Sequence, residues 1–148
     1  IPVGVAGGVQ FYYPEMHQDE NSLGPTRLLA FSLAGEAAFA AAERPDRQLP
    51  AQPELDADAA TVAEGKEYYD WLCKNCHGHD VVARYGGSVP DLRYADAEAH
   101  ATWNAVVLGG SKRMNGMPSF ELGVDESEAI RSYVLSLSEA IRAGGASR

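Results

Sequence analysis

A chain of 148 residues, 45% hydrophobic and 22% charged, has the make-up of a globular protein, with room for one ordinary domain or a small domain and an appendage. Its net charge of −9 leaves no basic face to neutralise phosphates, so nucleic acid is excluded as a natural partner. No apolar run approaches the ~20 residues of a membrane span, and no secretory leader is visible from Ile1 onward, although one removed upstream fits equally well.

Residues 1–35 read as β structure rich in turn formers. Gln10-Phe11-Tyr12-Tyr13 has strand composition, and Leu29, Phe31 and Leu33 share one face at period two after Gly24-Pro25. Two or three strands cannot bury such a face alone, so the segment needs a larger sheet that this sequence does not contain. Residues 36–60 change character, with Pro45, Pro50 and Pro53 scattered among acids. Proline at that density keeps a chain extended, which predicts a semi-rigid linker.

From Thr61 the pattern turns helical. Thr61 and Glu64 have the spacing of a capping box, predicting a helix from Val62 to about Leu72. A second helix is expected over Ala97 to Leu108, with Trp103, Val106 and Val107 on its apolar face. A third should start near Asp125-Glu126, carry Ile130, Tyr133, Val134 and Leu137 on one face, and stop before Gly144-Gly145.

The strongest chemical signal is "CKNCH", Cys73 to His77. Two thiols three residues apart at a helix end can both reach the vinyl groups of one porphyrin, and the next residue, His77, then presents an imidazole to the iron. A thioredoxin-type redox pair would need a βαβ setting, and a structural zinc site would need two more ligands; neither is at hand. The expected cofactor is therefore one covalent haem c, bound through Cys73, Cys76 and His77.

A sixth iron ligand is expected from the downstream loop "GGSKRMNGMPSF". Gly116 permits close backbone approach, and Pro118 biases Met117 towards an extended conformation, so Met117 is the expected ligand and Met114 is read as core filler. A thioether suits ferrous iron and raises the reduction potential. A ligating histidine usually donates its second ring N–H to a fixed acceptor, and the Pro90 carbonyl in "SVPDLRY" is the candidate, with Leu92 lying against the porphyrin. Arg84, Arg93, Tyr94 and Trp103 are candidates for propionate contacts, whereas His17, His79 and His100 read as exposed. The haem would supply apolar area to a segment too short to bury much surface alone, and thioether attachment points to an oxidising compartment outside the bacterial cytosol.

Together "GKEYYDWLCKNCHG", "VPDL", "GMPSF" and "AIRSYVLSL" resemble a class I cytochrome c, which implies that Gly65 and Tyr69 cross Ile130 and Tyr133 where the first helix meets the last. "VPDLRY", "VVLGGSKRMNGMPSFE" and "AIRSYVLSLS" further resemble the C-terminal cytochrome domain of quinohaemoprotein alcohol dehydrogenases. That resemblance implies a mainly α fold around one haem at 61–148, preceded by terminal strands of a β-propeller at 1–35 and the linker at 36–60. It implies pyrroloquinoline quinone (PQQ) and calcium in a propeller part lying outside this sequence. Electrons would pass from that part through the haem to an external acceptor in the periplasm: a small copper protein, a cytochrome c or a quinone pathway. No substrate-converting residues are found in this chain. A free-standing cytochrome c shuttle is the alternative; a haem enzyme such as a peroxidase would need an open iron position, against which Met117 argues.

Overall fold

The computed structural model describes residues 3–6, 27–30, 33–34, 48–83 and 89–144. Near the N-terminus, β1 (Val3–Ala6) pairs antiparallel with β2 (Arg27–Ala30), Val3 opposite Ala30. Phe31 and the Gln10–Tyr13 run lie outside the described residues. The remainder is helical: α1 (Ala59–Leu72), α2 (Lys74–His77), α3 (Ala97–Ala101), α4 (Trp103–Val107) and α5 (Val124–Gly144).

α1 begins earlier than the Thr61–Glu64 pattern predicts. The cap is Asp58, whose extended backbone precedes the helix and whose carboxylate accepts from Thr61 N at 2.8 Å. A carboxylate is the stronger acceptor at the positive end of a helix, and Ala59-Ala60 favour helix. That hydrogen bond holds the Asp58 carboxyl below its ordinary pKa. α5 is closed similarly, with Glu126 Oε2 reaching back to Gly123 N at 2.7 Å.

The expected helix over 97–108 is two short ones that meet at Thr102. The Thr102 hydroxyl bonds the Glu98 carbonyl at 3.0 Å, competing with regular helix bonding, and the chain redirects there. Asp96 caps α3 by accepting from Ala99 N at 2.8 Å.

Among the described residues α1 and α5 share the most extensive interface, with Gly65 and Tyr69 of α1 against Ala129, Ile130 and Tyr133 of α5. The Tyr69 and Tyr133 rings are 5.3 Å apart and tilted by 56°, a favourable aromatic geometry. Val81, Trp103, Val107 and Val134 complete the buried core. Trp103, a candidate for a propionate, instead donates its indole N–H to the Ser127 carbonyl of α5 at 3.0 Å, inside the core. His100 also departs from expectation: it is 4% exposed and stacks on Trp103, because α3 turns it inward against α5.

Candidate haem site

Cys73 ends α1 and starts α2, so Cys73, Cys76 and His77 lie within one helical turn, tied by His77 N to Cys73 O at 2.9 Å. Both thiols are free; Cys76 is exposed, whereas burial, helped by neighbouring Cys76, pushes the Cys73 thiol up to about 12. His77 is 6% exposed, and burial lowers its pKa against the opposing effects of Pro90 and Asp91. Its Nδ1 lies 3.2 Å from Pro90 O. A carbonyl can only accept, so Nδ1 carries the proton and Nε2 keeps its lone pair for a metal.

The turn after His77 is held tightly. Asp80 and Val81 adopt φ of 48° and 66°, a region that a β-branched residue enters only when its surroundings impose it. Tyr69 Oη donates to Gly78 O at 2.7 Å, and Tyr133 Oη donates to Asp80 Oδ1 at 3.2 Å. Burial raises the pKa of both phenols, which keeps them as donors. The helix crossing therefore anchors the backbone that follows the imidazole.

The loop 111–120 carries two methionines in different surroundings. Met114 is 98% exposed in the 3₁₀ turn Arg113–Asn115, so it does not fill the core. Gly116 then takes φ of 93° and reverses the chain, and Met117 packs half-buried against the core with Leu92, Leu108 and Phe120. Met114 sits among exposed Lys112, Arg113 and Asn115, whereas the left-handed Gly116 immediately precedes half-buried Met117.

These residues fit a haem. Two free thiols and an imidazole with an available Nε2 stand together, a thioether lies in the methionine loop, and half-buried apolar side chains border the core. Among the described residues, no cluster of three or more His, Cys, Asp or Glu forms an alternative metal site. Of the propionate candidates, Arg93 is clamped to Asp91, with Nη2 2.7 Å from Oδ2, while Arg84 lies outside the described residues. Asp91 and Gln52 are further residues near the site that the motifs do not name. The opposite charges two apart in "PDLR" are a legible signal for the first, but nothing marks Gln52 within its proline-rich surroundings.

Residues 60–134 match the family described as cytochrome c oxidase, cbb3-type, subunit III. Quinohemoprotein alcohol dehydrogenase ADH IIB of Pseudomonas putida is 36% identical over 120 residues, 75% of this chain and 16% of that protein. The 1-butanol dehydrogenase (cytochrome c) of Thauera butanivorans is 34% identical over 90 residues, 60% of this chain and 13% of that protein. The solved structure of quinohemoprotein alcohol dehydrogenase ADHIIG from Pseudomonas putida superposes with a TM-score of 0.59 at 29% identity, covering 74% of this chain and 16% of that one. The chain thus spans about a sixth of the length of such relatives. Spanning the α1–α5 crossing and the Cys-Lys-Asn-Cys-His turn, the match is to a haem c-bearing electron-transfer domain, and the chain belongs to the cytochrome c family, as a relative of the C-terminal region of quinohaemoprotein alcohol dehydrogenases.

Proposed function

We propose that this chain carries single electrons out of an alcohol-oxidising quinone centre through one haem c. Cys73 and Cys76 would hold the haem through two thioethers, and His77 and Met117 would supply its iron ligands. The observation that carries the reading is His77: buried, flanked by two free thiols, with Nδ1 held by the Pro90 carbonyl so that Nε2 remains for iron. The haem supplies a reversible one-electron couple. The protein would support it by fixing the imidazole tautomer, by presenting a soft thioether that favours the ferrous state, and by offering the partly buried apolar side chains Leu92, Leu108 and Phe120 that pack against the core.

On this reading the electron donor is PQQ, with calcium, in a propeller part of which residues 1–35 are the last strands and residues 36–60 the linker to the cytochrome domain at 61–148. The name quinohemoprotein alcohol dehydrogenase, which joins a quinone and a haem in one enzyme, supports this arrangement. The acceptor is an external carrier, a small copper protein, a cytochrome c or a quinone, in the periplasm. No described helix is long and apolar enough to cross a membrane.

The test has three parts. Intact mass should show one haem increment that survives denaturation, with any companion polypeptide. The alkaline pyridine spectrum should be that of a haem with two thioether bonds. Mixing the holoenzyme with alcohol should then reduce the haem, followed by reoxidation by the external acceptor. Haem that washes away in denaturant would exclude the assignment of the two thiols; haem that stays oxidised on alcohol addition would exclude the quinone as donor.

A further inference from the structure

We propose that Gln52, in the arm ahead of α1, is a positioning residue for the His77 imidazole, coupling the seating of that arm to the reduction potential of the haem. The inference rests on the reading of His77 as an axial ligand and names a control on it.

Residues 48–58 run without helix or strand before α1. Gln52 is half-buried there and uses both amide protons on one turn, donating from Nε2 to Arg93 O at 2.8 Å and to Ala95 O at 2.7 Å. Its Oε1 accepts from Arg142 Nη2 of α5 at 3.3 Å. A few residues on, Leu55 N approaches Glu139 Oε1 of α5 at 3.4 Å, so the arm is seated at two points.

The turn that Gln52 holds is itself rigid. Arg93 meets Asp91 with two side-chain bonds, Nε to Oδ1 at 3.0 Å and Nη2 to Oδ2 at 2.7 Å, and Arg93 N adds a third to Oδ1 at 3.1 Å. The pair is largely buried, with the Arg93 and Asp91 side chains 12% and 6% exposed. From α5, Ser138 Oγ lies 3.0 Å from the same Arg93 carbonyl that Gln52 bonds.

One peptide unit joins this turn to the imidazole. The Pro90 carbonyl and the Asp91 N–H belong to the same plane, so holding Asp91 fixes where Pro90 O points. Pro90 O is the acceptor for His77 Nδ1. The arm, the Asp91–Arg93 turn, the Pro90 carbonyl and the imidazole thus form a contiguous chain of short contacts. An acceptor on Nδ1–H makes a ligating imidazole more basic and favours ferric iron, so loosening the chain should raise the potential.

The experiment compares the haem-loaded full chain with Gln52→Leu, Gln52→Glu and Arg142→Gln by redox titration. A proton spectrum of the reduced protein follows exchange of the His77 Nδ1–H. Gln52→Leu removes both donated bonds; Gln52→Glu keeps an acceptor for Arg142 but cannot donate, and serves if the leucine variant fails to accumulate. Both should raise the potential and speed exchange of that proton, whereas Arg142→Gln, which spares the two carbonyl contacts, should leave both unchanged. A purely structural role would lower the unfolding midpoint with no change in potential or exchange, and that result would overturn the coupling. Absence of a thioether-haem spectrum in the unsubstituted chain would overturn the haem site and the coupling together, so the two failures are distinguishable.

Discussion

Gly65 of α1 approaches Ala129 of α5 so closely that a Cβ on the glycine would lie 1.9 Å from the Ala129 carbonyl oxygen. The obstacle is backbone, which cannot swing aside as a side chain does. Gly65→Ala should therefore push the helices apart and cost about 2–3 kcal/mol or more, the upper range for overpacking a core. Denaturant unfolding of the haem-loaded chain measures this; a loss below the ~0.5 kcal/mol typical of surface substitutions would contradict the close crossing.

The two methionines should behave oppositely. Met117→Ala should remove the sulfur–iron band at the red end of the ferric spectrum and lower the reduction potential, because the ligand favouring ferrous iron is gone. Met114→Ala should change neither, since that side chain is 98% exposed. The reverse result would show that the ligand assignment is mistaken.

Changing Cys73 and Cys76 together to Ser should give a chain that releases haem in denaturant and folds poorly without it, as expected of a domain whose core is small. Haem retained by the unfolded double variant, read by mass after denaturing chromatography, would refute thioether attachment.

His100 provides a pH test away from the haem. Burial, aided by the Arg131 guanidinium, lowers its pKa from 6.5, against the opposing pull of Asp96 and Glu128. The neutral ring is favoured in the fold, so its contribution is intact above the unfolded value of 6.5 and is lost as pH falls from there through the lowered folded value. His100→Phe keeps an aromatic ring against Trp103 and should flatten that part of the stability profile. An unchanged slope between neutral and mildly acidic pH would rule out His100 as its source.

Lys112 and Arg113 are exposed at the tip of the Met117 loop in a chain of net charge −9. Replacing both with Glu should slow electron transfer to an acidic acceptor several-fold at low salt and weaken the salt dependence, because rim charges act mainly on association rate. Stopped-flow rates that are identical across ionic strength would make the pair ordinary surface charge.

Much of the candidate site is legible in the sequence because its signals are local. Two cysteines three apart followed by histidine can be read without knowing the fold, and Gly116 and Pro118 flag a loop that offers Met117. The apolar face of Ile130, Tyr133, Val134 and Leu137 follows from helical spacing, and the long helix that carries it runs over Val124–Gly144. Where two local rules competed, the reading erred: Asp58 outcompetes the Thr61–Glu64 box, and the Thr102 hydroxyl divides an otherwise regular helix.

What the amino-acid sequence determined by itself was the kind of cofactor chemistry and the helices that frame it, since both depend on residues close together along the chain. Only the tertiary structure decided which side chains are spent inside the protein and which are left outside: the Trp103 indole on Ser127 O, buried His100, outward Met114, and Gln52 bonded to carbonyls 41 and 43 residues away. Those outcomes depend on which surfaces meet when α5 closes over α1 and α4. Burial and hydrogen-bond satisfaction are properties of that three-dimensional closure, and no spacing along the chain encodes them.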